Sequence, residues 1–228
     1  MKPFLSKSQD NDSLKALGRA SVQIVHDLKN QLNGLKLYAT FLRKRLEKTD
    51  RPEDEMETVN KLIAGLDRAA GDLSTLMQFS RPIDLRKQAG VDLQGILRGV
   101  AAGFSGQARV TGQLAGSMII DAEPIPLTGE FDPAVLAESL KVISLGALKM
   151  QRNGESRILT VSMRREAGQT DTAIIEWEGL NDLDHDPFRS FAGSDEIRMS
   201  LAAKVIEAHG GSAEQLRNSL RVRLPLAK

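Results

Sequence analysis

The run Ser21-Val22-Gln23-Ile24-Val25-His26-Asp27-Leu28-Lys29-Asn30-Gln31-Leu32 decides how the rest of the chain is read. It places a histidine, a carboxylate and an amide within about one helical turn of one another, inside a long apolar helical repeat. Those groups are the parts of nucleophilic and acid–base chemistry on a phosphoryl group.

Working outward, the apolar positions are Leu14, Leu17, Val25, Leu28, Leu32, Leu35, Ala39, Leu42 and Leu46, with Ser21 in the gap. The steps are 3, 4, 4, 3, 4, 3, 4, 3, 4, a heptad seam with one extra four-step just before His26. Asp12 or Ser13 supplies an oxygen to cap the start, and the pattern predicts one helix of about 33 residues. Thr49-Asp50-Arg51-Pro52-Glu53-Asp54-Glu55 then combines cap residues, a first-turn proline and acids suited to a positive helix start. A second helix repeats Met56, Val59, Ile63, Leu66, Ala70, Leu73 and Met77, widened by Leu62, Ala69 and Leu76, and Pro82 stops it. Two long helices with wide stripes and a short tip predict an antiparallel hairpin. One hairpin cannot bury both stripes, so the expected solution is a four-helix bundle formed by two chains.

After Pro82 the pattern changes. Ile83 to Ala89 reads as a linker or short strand, Asp92 to Val100 has helical spacing, and 108–131 is punctuated by glycine and proline. Asp132 to Met150 is helical, and Arg157 to Arg164 and Thr172 to Glu178 alternate at period two. Asp195 to His209 is a helix ended by Gly210-Gly211, and Leu220 to Leu224 closes as a strand. The expected organisation is a helical hairpin over 14–82 followed by an α+β layered domain over 90–228.

Composition narrows the function classes. The 228 residues are 41% hydrophobic and 27% charged with a formal net charge of +1, which gives no bulk electrostatic case for nucleic acid or a membrane surface. Aromatics at 4% argue against base-stacking platforms, and the absence of cysteine excludes thiolate chemistry. No apolar run approaches the roughly 20 residues that span a bilayer. The polar start lacks the apolar stretch of a signal peptide, so a cytoplasmic location is expected.

His26-Asp27-Leu28-Lys29-Asn30-Gln31-Leu32 resembles the dimerisation and histidine-phosphotransfer segment of sensor histidine kinases, matching at His26, Asp27 and Asn30 and departing at Gln31, where a proline is common. The second half is similar in outline to the family's ATP-binding α/β sandwich: Asp132 to Leu140 at the start of its asparagine-bearing helix, Asp186 to Phe191 and Ser200 to Gly211 near its end. The departures matter more. The two asparagines of the nucleotide helix fall on Val142 and Gly146, the Asp-x-Gly-x-Gly loop on Glu178-Gly179-Leu180-Asn181-Asp182, and Gly-Leu-Gly-Leu on Glu196-Ile197-Arg198-Met199. Glycines at such places let backbone approach phosphates, and Glu196 adds negative charge facing a triphosphate. The intervening lid is also short. The resemblance therefore implies a degenerate ATP domain that binds no cofactor, and a dimeric phosphorelay histidine phosphotransferase. Its partners are response-regulator receiver domains, which supply the magnesium and whose aspartates exchange phosphate with His26.

In that reading Asp27 orients the imidazole or takes its proton, Asn30 places a phosphoryl oxygen or water, Lys29 offsets phosphoryl charge, and Asn33 is a polar flank toward the partner. The alternatives are an active ATP-dependent sensor kinase and a non-catalytic pseudokinase scaffold that binds a response regulator. His209 is expected to cap or pack, His185 to sit in a solvated turn, and Trp177 to lie in the core.

Overall fold

A computed structural model describes residues 25, 27–47, 53–111, 117–151, 158–181 and 185–227, without the side chains of 105–111 and 169–170. The expected cap at Asp12 or Ser13, the seam from Leu14 to Ser21 and the tip at Thr49–Pro52 lie outside the described residues. The chain divides into two compact units, Met1–Pro82 and Ile83–Lys228.

The first unit holds α1 (residues 27–46) and α2 (Glu53–Ser80). Lys36 Nζ on α1 meets Asp67 Oδ1 on α2 at 2.6 Å, and Ala39 and Val59 are buried. The seam residues Leu28, Leu35 and Leu42, by contrast, are exposed in this single chain, as is Leu62 of α2. One pair of helices has too little facing surface to cover two wide apolar stripes. Among the described residues, no helix is long and apolar enough to cross a membrane.

The second unit opens with β1 (Gln88–Asp92), followed by α3 (Leu93–Thr111), β2 (Ser117–Ala122), β3 (Thr128–Phe131) and α4 (Pro133–Met150). It continues through β4 (Ile158–Glu166), β5 (Gln169–Trp177), α5 (Ser194–Ala208), β6 (Ser212–Leu216) and β7 (Ser219–Pro225). β1 and β3 pair antiparallel as a small separate sheet. The main sheet has the order β2-β4-β5-β7-β6; only β2 and β4 run parallel, their crossover carrying α4.

Period-two alternation divides the two faces of this sheet. Leu159, Val161, Met163, Ala173, Ile175, Trp177, Leu220, Val222 and Leu224 point inward and form one core with Leu97 of α3 and Leu136, Leu140 and Ile143 of α4. The other face is a ladder of alternating charge. Glu176 accepts from Ser219 Oγ at 2.6 Å and from Arg221 Nη2 at 3.1 Å, while Arg223 reaches Glu166 at 2.9 Å and Glu214 at 2.5 Å. Those carboxylates, Glu166 first, raise the Arg223 pKa above its ordinary value. Strand β6 was not expected from the sequence. Its Ser-Ala-Glu-Gln-Leu has no apolar alternation, and pairing with β7 across the Arg217-Asn218 turn makes it a strand.

Candidate functional site

The residues singled out around His26 all fall on α1. His26 itself lies outside the described residues; Val25 before it and 27–46 after it are helical. Asp27, Asn30 and Asn33 are exposed and Lys29 is half-buried. At about 100° per residue, Leu37 and Phe41 project within about 20° of Asn30, and about 180° and about 140° from Leu28 respectively. Both are large and open to solvent, Leu37 at 54% and Phe41 at 59%, and Tyr38 beside them reaches 73%. Helix α1 therefore shows two uncovered apolar stripes, the Leu28–Leu35–Leu42 seam and a second one continuous with Asn30, with exposed Tyr38 between them. The second stripe was missed from sequence, although the Leu37-to-Phe41 step of four was its signal.

In the second unit, α4 is started by Asp132, whose Oδ1 accepts Val135 N–H at 3.2 Å, with Pro133 in the first turn. Asp132 Oδ2 also takes the N–H of Arg86 at 2.9 Å. These bonds, Arg86 first, hold its carboxyl below the usual carboxylate range. Further along α4, Val142 is half-buried and Gly146 buried. Gly146 faces Met199 of α5, which is 1% exposed, and Lys149 Nζ spans to both Asp195 oxygens at 2.7 and 2.6 Å. Glu196 turns back toward the start of its own helix. Its carboxylate accepts from the Ser190 hydroxyl, from His185 Nε2 at 2.8 Å and from Ala192 N–H at 3.1 Å. Ser190 foremost, and then His185, keep it below the ordinary carboxyl pKa, so it stays charged. His185, expected in a solvated turn, is exposed but tied to Glu196.

Gly179 takes φ +77°, and the loop around it is held by Leu180 N–H on Asn218 O and Asn181 N–H on Met150 O. Trp177 is fully buried and donates from Nε1 to Ser144 Oγ at 2.9 Å. His209 is 2% exposed, and its Nε2 accepts the Asp132 backbone N–H at 3.1 Å. No group of three or more histidine, aspartate and glutamate side chains suited to a metal occurs among the described residues.

Comparison with protein-family models returned no match, and comparison with curated proteins returned none. Solved structures did match. Full-length ShkA in complex with AMPPNP aligns with a TM-score of 0.60 at 20% identity, over 90% of this chain and 45% of ShkA. The histidine kinase ThkA, in complex with the response regulator protein TrrA, aligns with a TM-score of 0.62 at 15% identity, over 98% of this chain and 66% of that one. The histidine kinase AdeS of Acinetobacter baumannii aligns at 0.57 and 14% identity, over 87% of this chain and 97% of AdeS. The chain thus spans less than half of ShkA and just under two thirds of ThkA. At these identities the likeness is one of architecture: the chain has a histidine-kinase-like fold.

Proposed function

We propose that this chain is a phosphorelay histidine phosphotransferase that works as a homodimer. The helical hairpin of 14–82 pairs with a second copy into a four-helix bundle through the uncovered Leu28–Leu35–Leu42 seam. His26 takes a phosphoryl group from the aspartyl phosphate of one receiver domain and passes it to the aspartate of another. The neutral imidazole nitrogen bonds to phosphorus as the bond from phosphorus to the aspartate oxygen breaks, and the reverse exchange unloads it. Asp27 orients the ring, Asn30 places a phosphoryl oxygen, Lys29 offsets the transferred charge, and Asn33 flanks the partner. Magnesium comes with the receiver.

The observation that carries this reading is the second stripe of α1, where Asn30 runs into exposed Leu37 and Phe41. A helix with one apolar face for its own copy and another beside the phosphotransfer motif suits a protein that receives its phosphate from a docked partner. Loss of ATP binding is the companion proposal. Val142 and Gly146 offer no polar side chain to a metal or phosphate, and Glu196-Ile197-Arg198-Met199 puts side chains where glycines would let backbone approach a triphosphate. The residues present do not fit a nucleotide, and the phosphotransfer step is routed through none.

The test is transfer of label. The protein incubated with radiolabelled ATP alone stays unlabelled; with a phosphorylated receiver it becomes labelled, and His26→Ala does not. Label from ATP alone points to an active kinase. Identical behaviour of wild type and His26→Ala toward every phosphorylated receiver tried points to a scaffold.

A further inference from the structure

Two of the departures from the kinase pattern lie far apart in sequence and meet in space. Gly146 stands on α4 where the resemblance places an asparagine, and Met199 ends the Glu196-Ile197-Arg198-Met199 stretch of α5 that stands for Gly-Leu-Gly-Leu. A Cβ built on Gly146 would overlap Met199 Sδ and lie 3.2 Å from both Cγ and Cε, tighter than van der Waals contact allows. The thioether therefore rests on the backbone of α4, in room that exists because residue 146 has no side chain. Met199 is 1% exposed and Gly146 is buried, so this contact excludes water.

The same two helices are tied again about one turn along each, where Lys149 holds Asp195 through both carboxylate oxygens. Beyond that, the start of α5 is fastened from within, by Glu196 on Ser190, His185 and Ala192 N–H and by Ser200 Oγ on Ser190 O at 2.9 Å.

We infer that Gly146 and Met199 form an internal clasp that keeps α5 closed on α4 without a ligand. The two substitutions are one paired change: a small residue opens a hole in α4, and a long, flexible side chain on α5 fills it. The inference rests on the proposal that this unit takes no nucleotide, and it extends that proposal. A place where relatives of this fold could hold a ligand has become direct helix-to-helix packing, so holding α5 against α4 requires no ligand.

The experiment is a double-mutant cycle on the full chain, read by thermal unfolding through Trp177, the single and fully buried tryptophan. Gly146→Ala puts a methyl where Met199 Sδ lies and lowers the midpoint by several degrees; Met199→Ala leaves a cavity and lowers it as well. Combined, the new methyl occupies part of that cavity, and the double variant melts above Gly146→Ala alone. If Gly146→Ala fails to fold, recovery of buried-tryptophan emission in the double variant gives the same support. A silent Gly146→Ala, or a double variant whose losses simply add, overturns the clasp. A separate arm melts the wild type with and without Mg·ATP, with no shift expected. Stabilisation by Mg·ATP overturns the no-nucleotide reading and with it the claim that closure is ligand-free, while the mutant cycle still reports on the contact itself.

Discussion

The imidazole of His209 accepts the backbone N–H of Asp132 through Nε2 at 3.1 Å, while its Nδ1 lies 2.8 Å from Val205 O. With Nδ1–H donating to that carbonyl, both ring nitrogens are engaged by the neutral tautomer, and a second proton has no place to go. Burial is the main force lowering the His209 pKa; Lys87 adds to it, and the hydrogen bond to Val205 O and the Asp132 carboxylate oppose it. An unfolded chain binds a proton near pH 6.5 where the folded one does not, so stability is full above that pH and falls as pH drops below it. The expected slope is at most about 1.4 kcal/mol per pH unit, the limit for one proton. Asp132 acts lower: its depressed carboxyl contributes stability that is lost only as pH falls below the ordinary aspartate value of about 3.9. Urea midpoints followed by Trp177 emission between roughly pH 8 and pH 5 should show the upper slope in wild type and a flatter one in His209→Gln.

The Trp177 indole supplies a second prediction. Its Nε1–H donates to Ser144 Oγ at 2.9 Å in a fully buried pair, and Ser144 Oγ in turn donates to Leu140 O at 2.8 Å. Ser144→Ala leaves the indole N–H without a partner, at a cost of about 1–3 kcal/mol. Chemical denaturation measures the loss, and the folded-state emission of Trp177 shifts because its hydrogen bond is gone.

Receiver exchange should depend on the second stripe of α1. Leu37→Ala and Phe41→Ala are expected to slow transfer to and from a receiver about 5- to 30-fold, the loss that follows from one or two kcal/mol of interface contact. Helix content by circular dichroism stays unchanged, because both side chains are exposed in the free chain. Equal transfer rates in wild type and both variants would place partner docking elsewhere.

Assembly should depend on the other stripe. Leu35→Glu together with Leu42→Glu puts two carboxylates on a face that is exposed in the single chain. Light scattering is expected to give the mass of a dimer for wild type and of a monomer for the double variant. A monomeric wild type would remove the bundle from the proposal.

Local chemistry explains which parts could be read from sequence. The start of α4 was legible because Asp132-Pro133 carries its own cap and first turn, and the end of α5 because Gly210 takes φ +84° just beyond it. Strands β4 and β5 were legible because alternation marks a half-buried strand. What could not be read was long-range. Ser212–Leu216 becomes a strand only beside β7, and His209 finds its Asp132 partner 77 residues away. Val142 and Gly146 were legible as missing polar groups, but nothing local to Gly146 signals that Met199 would fill the space. Glu196 was expected to face a phosphate; instead its carboxylate is bound to the loop before its own helix, since Ser190, His185 and Ala192 N–H lie within reach.

The hydrogen bonds around β3 bear on how the second unit could be recut. Near its start, Arg86 N–H is held by Asp132; at its far end, Ala227 N–H is held by Thr128 O at 2.9 Å. Both ends of the segment are thus anchored on one five-residue stretch, Thr128–Asp132, which makes the unit topologically close to a ring. A short bridge joining 86 to 227, with new termini opened at the Ala167-Gly168 turn between β4 and β5, would reorder the chain while leaving each of those anchors in place.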